Sequence, residues 1–153
     1  MKLTYAVGLA LVTVFAANSA NAAKCEGHNG RTYAAPKILS EGEDGAKTML
    51  INSTGTQTFL SPAVSTKWQH CIGFWTVNAD KSGSGAGNCY VLDADGDQWI
   101  HSWEGTNDGG TWAHQSGTGK YAAWTSASKG NWSYGKRYAD GTAITTWDGN
   151  CGD

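Results

Sequence analysis

The chain has 153 residues, is 40% hydrophobic, and sets 11 basic residues against 13 acidic ones. The charges are scattered without a basic stripe. That argues against nucleic acid as a partner, because phosphate contacts need clustered lysine and arginine.

Residues 1–22, MKLTYAVGLALVTVFAANSANA, read as a secretory signal. Lys2 gives the positive start, Tyr5 to Ala17 the apolar run, and Ala20-Asn21-Ala22 the small-residue cleavage site. The run is too short for a comfortable membrane span. The expected mature protein is a single domain, residues 23–153, with 10 basic and 13 acidic residues and a net charge of −3. No second apolar span follows, so no membrane partner is expected after cleavage, and the protein should be secreted or periplasmic.

Four cysteines remain, Cys25, Cys71, Cys89 and Cys151. An even count in an exported chain favours disulfides, and three pairings are open. Cys25–Cys151 is favoured because chain ends often lie close together, which leaves Cys71–Cys89 to join two strands. No C-x₂-C pair supports a zinc site.

Residues 24–46 are polar and turn-rich, with a turn at His28-Asn29-Gly30, at most a short helical turn within Ala34 to Leu39, and a loop from Glu41 to Gly45. From Lys47 onward, strands are predicted over 47–53, 56–61, 66–77, 87–93, 97–104, 111–116, 120–125, 130–138 and 142–148. Ser-Gly, Asp-Gly, Asn-Asp-Gly-Gly and Gly-Thr-Gly separate them. Residues 81–87, KSGSGAG, read as a flexible loop. Short strands at regular spacing without helices predict an all-β, antiparallel sandwich or barrel.

All eight tryptophans fall between Trp68 and Trp147. In the simplest hairpin registers Glu104 faces Thr111, Trp103 faces Trp112, and His101 faces His114. The next turns then place Trp112 opposite Trp124 and Trp124 opposite Trp132, and a one-residue bulge brings Trp132 near Trp147. Side chains alternate along a strand, so these residues share a face. That face is either a layer of barrel core or the wall of a binding site. The candidate ligand-binding set is Trp99, His101, Trp103, Trp112, His114, Trp124 and Trp132.

The strings GGTW, GTGKY and GNWSYGKRYADGTAITTWDG resemble secreted bacterial proteins with an allene-oxide-cyclase-like or dirigent-like barrel. The resemblance covers roughly residues 87–150 and is best over 109–149; it departs at Ala123 and at ASKG, residues 127–130. It implies an eight-stranded closed β-barrel. It does not imply cyclase activity, because none of that enzyme's catalytic positions can be matched here.

Asp93, Asp95 and Asp97 offer the oxygens that calcium prefers, but their glycine is fourth rather than sixth, so a hairpin turn with solvated acids is the plainer reading. His101 and His114 are the candidates for acid–base or metal work, although two histidines are too few for a structural zinc site. Glu104 and Asp148 precede glycine and suit strand ends. No P-loop and no G-x-S-x-G elbow occurs. The expected function is that of a small exported barrel without catalytic activity or cofactor, binding a small apolar or aromatic molecule. The alternatives are a cyclase- or isomerase-type enzyme using His101 or His114, and a carbohydrate-binding module using exposed tryptophans.

Overall fold

Nine strands, most of them separated by short turns, form among the described residues. They are β1 (Ala23–Tyr33), β2 (Lys37–Glu41), β3 (Lys47–Ser61), β4 (Val64–Val77), β5 (Gly83–Asp93), β6 (Gln98–Thr106), β7 (Gly109–Gly117), β8 (Lys129–Arg137) and β9 (Thr142–Cys151). The computed structural model describes residues 23–152 other than 62 and 126, so the expected signal segment 1–22 lies outside the described residues.

From β3 to β9 each strand pairs antiparallel with the next, and β1 closes the circle between β9 and β3. The result is an eight-stranded antiparallel barrel with β2 outside it. β2 takes the β3 edge where β1 ends, pairing with Lys47 to Leu50 while β1 pairs with Ser53 to Ser61. Closure leaves the barrel strands without open edges. Both disulfides link pairs of neighbouring strands: Cys25–Cys151 joins β1 to β9, and Cys71–Cys89 joins β4 to β5. No free cysteine remains among the described residues.

The interior explains the glycines. Inward tryptophans face glycines across the ladders: Trp75 opposite Gly85, Trp103 opposite Gly87, Trp132 opposite Gly110, Trp112 opposite Gly130, and Trp147 opposite Gly27. A Cβ added at Gly27 would lie 2.5 Å from Trp147 Cζ2, and one at Gly105 would lie 2.5 Å from Trp132 Cζ2. One at Gly73 would lie 2.6 Å from Trp103 Cζ2, and one at Gly149 2.8 Å from Trp112 Cζ2. The indoles therefore lean against the barrel wall where glycine leaves it thin. An eight-stranded barrel has an interior only just wide enough for its side chains, and glycine opposite tryptophan makes room for five indoles.

Three expectations are corrected. Residues 24–46 are not mainly turns: β1 and β2 occupy most of them, His28-Asn29-Gly30 lies mid-strand, and the Ala34 to Leu39 stretch enters β2 rather than a helical turn. Gly83, Gly85 and Gly87 belong to β5 and not to a loop. Residues 120–125 are not a strand. Gly119–Tyr121 forms one 3₁₀ turn, and turns follow it. Trp112 thus faces Gly130 and Trp132 faces Gly110, so Trp124 is absent from the cross-strand row. Trp103 opposite Trp112, His101 opposite His114, and Trp132 opposite Trp147 are all observed.

Candidate functional site

The turns alternate between the two barrel ends, and the ends differ. At one end the 118–128 segment folds over the opening. Gly119 adopts a φ of 51°, where an L side chain would be strained, and starts the 3₁₀ turn. Tyr121 and Trp124 then pack on Trp99, with ring centroids 5.8 and 5.1 Å away, and Phe59 and Trp147 complete this closed end.

An ion-pair cluster holds the segment there. Lys120 Nζ lies 2.6 Å from Asp93 Oδ2 and 2.6 Å from Asp95 Oδ2. Asp93 Oδ1 accepts the N–H groups of Asp95 and Asp97, each at 2.9 Å, and Asp93 Oδ2 accepts the Tyr121 hydroxyl at 3.1 Å. Burial works to raise the Asp93 pKa, but the Lys120 ammonium and these donors outweigh it and hold the carboxyl below its usual range. The candidate calcium ligands Asp93, Asp95 and Asp97 therefore surround a lysine ammonium. No group of three potential metal-ligating side chains occurs among the described residues.

The other end carries the connections 34–46, 78–82, 107–108 and 138–141. Here the interior opens into a chamber of about 40 Å³. Trp99, Trp103, Trp112, Trp132 and Trp147 line it, with Asn29, Arg31, Ser53, Gln57, His101 and Thr145. Next to it runs a rim groove of about 250 Å³, lined by Pro36, Arg137 and Tyr138 among others. Tyr33, Ile51, Trp75 and Tyr134 border both spaces. No carboxylate lines either one.

The chamber is unusually rich in buried polar atoms that have no partner within the chain. Among the described residues there are nine such side-chain atoms, and seven belong to residues lining this chamber. They are Asn29 Oδ1, Arg31 Nε, Ser53 Oγ, His101 Nδ1, and the indole Nε1 atoms of Trp99, Trp103 and Trp147. By contrast, Trp112 Nε1 donates to the Asp148 carbonyl at 3.2 Å, and Trp132 Nε1 to those of Glu104 and Thr111. Buried polar groups left unpaired cost about 1–3 kcal/mol each, so a concentration of them marks a place that expects a partner.

The structure brings Trp99, His101, Trp103, Trp112 and Trp132 of the expected set to the chamber. His114 is also buried, stacked on Trp99 at 6.3 Å, but does not line the chamber. Trp124 belongs to the closed end. Burial, then the Arg31 charge and His114, lower the His101 pKa to about 3, and burial lowers that of His114. Glu104 and Asp148 are exposed, away from the chamber.

Sequence reading missed Asn29, Arg31 and Tyr33, all from β1. The missed signal was the alternation Cys25, Gly27, Asn29, Arg31, Tyr33, whose small and polar members hide a period of two.

No family model, curated protein or solved structure matches this chain. The allene-oxide-cyclase-like resemblance therefore rests on its quoted residues alone.

Proposed function

We propose that this chain is an exported small-molecule-binding barrel whose ligand carries a single aromatic ring. The two disulfides suit an oxidising extracellular or periplasmic setting, and no helix among the described residues is long and apolar enough to cross a membrane. The observation that carries the reading is the chamber itself. It combines indole walls with seven unpartnered buried polar atoms, the pattern of a mostly apolar pocket with a few convergent polar groups.

The geometry favours this over the alternatives. Sugar stacking needs exposed indoles, but Trp99, Trp112 and Trp147 are only 1%, 5% and 4% exposed. Acid–base catalysis at His101 lacks support because its depressed pKa makes it a weak base and no carboxylate in the chamber orients it.

Tryptophan fluorescence tests the proposal. Titration with single-ring aromatics, including benzamide and benzoate, should give a saturable change, and titration with glucose or cellobiose should give none. Saturation by the sugars alone would overturn the reading, as would no response to any ring compound.

A further inference from the structure

Arg31 is the residue of the chamber that the proposed function leaves unexplained. It stands near the end of β1, paired with Ala143 of β9 and Gly55 of β3, and lines the barrel interior. Gly55 is needed for that position, since a Cβ there would lie 2.9 Å from the Arg31 Cα. The Arg31 Nε is buried without a partner in the chain. A guanidinium is always charged under ordinary conditions, and a buried charge normally finds a counter-charge.

Arg31 finds none. The ion pairs among the described residues are Lys47 with Glu41 and Lys120 with Asp93, Asp95 and Asp97. Arg137, which lines the rim groove, lies 3.6 Å over the Tyr134 ring and is in no ion pair among the described residues either. The acid of the β8–β9 turn, Asp140, is engaged by the Thr142 N–H and hydroxyl at 2.9 and 2.7 Å. Burial pulls the Arg31 pKa below its ordinary value, as expected of a desolvated cation. Burial also pushes the Tyr134 phenol up to about 12, so that hydroxyl stays protonated, with the Tyr33 side chain as its hydrogen-bond partner.

The donors outnumber the acceptors. Arg31 Nε, the Ser53 hydroxyl and the three free indole N–H groups can all give a hydrogen bond; Asn29 Oδ1 only accepts, and Nδ1 of the neutral His101 ring gives or accepts according to its tautomer. Volume divides the ligand in the same way. The enclosed chamber of about 40 Å³ takes a group the size of a few waters, each of which needs roughly 10–15 Å³. The apolar groove of about 250 Å³, bordered by Tyr33, Trp75 and Tyr134, is large enough for a ring.

We propose that the ligand is an aromatic carboxylate, its carboxylate seated in the chamber at Arg31 and its ring in the groove. This rests on the binding function proposed above and adds the charge of the ligand. Bidentate pairing of a guanidinium with a carboxylate is a strong and directional recognition mode.

The test compares benzoate, neutral benzamide and cationic benzylamine at neutral pH, by tryptophan fluorescence and calorimetry. The unmodified protein should bind benzoate at least about ten-fold tighter than benzamide, with benzylamine weakest. Arg31→Gln should remove that preference by weakening benzoate far more than benzamide, and a retained near-ultraviolet circular dichroism spectrum shows that the variant is folded. Arg31→Lys should keep part of the preference. Should Arg31→Gln not fold, salt decides on the unmodified protein: 0.5 M sodium chloride should weaken benzoate and spare benzamide. Equal affinity for benzoate and benzamide, or preference for benzylamine, overturns the carboxylate assignment while leaving the binding function intact. Failure of all three to bind overturns both.

Discussion

Gly27 and Gly30 lie three residues apart in β1 and should respond to alanine in opposite ways. Gly27 faces inward against Trp147, and a Cβ there would lie 2.5 Å from its Cζ2 and closer still to the Thr58 carbonyl. Trp147 cannot retreat, because Phe59 and Trp112 hold it with ring centroids 4.7 and 6.0 Å away. Overpacking of this kind costs about 1–3 kcal/mol. A Cβ at Gly30 meets nothing within 4 Å. There the ordinary gain from restricting the unfolded chain applies, about 0.4–1 kcal/mol. With a urea slope of about 1.5 kcal/mol per molar, a cost of about 2 kcal/mol lowers the midpoint for Gly27→Ala by about 1.3 M, and Gly30→Ala raises it by a few tenths. Urea melts followed by circular dichroism read both. Equal midpoints for Gly27→Ala and the unmodified protein would refute the packing of indole on glycine.

Other perturbations follow from the same interior. Trp112→Ala removes a buried indole that packs on Trp99 and Trp147, and should cost about 3–5 kcal/mol in the same assay. Thiol titration of the unfolded, unreduced mature protein should find no free cysteine. Replacing Cys25 and Cys151, which close 126 residues, should cost more than replacing Cys71 and Cys89, which close 18; loop-closure entropy gives nearly 5 against about 3 kcal/mol. The His101 pKa is depressed in the folded state to about 3 from 6.5, so the unfolded chain binds more protons between those values. Stability from this group is complete above pH 6.5 and is lost as the pH falls toward 3. Burial lowers the His114 pKa and adds to the loss in the same direction. Urea midpoints measured from pH 7 to 4 should fall, and His101→Gln should flatten the slope.

The parts of the fold legible in the sequence are those governed by local turns. The Asn107-Asp108 turn sets the β6–β7 register, and with it Trp103 opposite Trp112 and His101 opposite His114. The favoured cysteine pairing is also the one observed, because the chain ends meet beside each other in a closed barrel. Trp124 was misplaced because no local pattern announces the ion pair that binds Lys120 to Asp93 across the β5–β6 turn. Without that tie, KYAAWT alternates like a strand. β1 was missed for a different reason: a barrel with a polar chamber lacks the apolar and polar alternation by which strands are recognised. The residue that best defines the proposed ligand, Arg31, lies on that unreadable strand. The register shift at Ile100/His101 is likewise invisible to a simple count from the turns, whereas the one at Tyr134/Lys136 is the one-residue bulge expected to bring Trp132 to Trp147.

The most direct test of a ligand in the chamber is the set of indole N–H resonances in a ¹H–¹⁵N spectrum during titration with benzoate. Trp99, Trp103 and Trp147 line the chamber and have buried indole N–H groups without partners, whereas those of Trp112 and Trp132 already donate to backbone carbonyls. Saturable shifts concentrated on the first three are the predicted result. Shifts confined to Trp68, which stands 38% exposed on the outer face of β4, or no shifts at any indole, would contradict it.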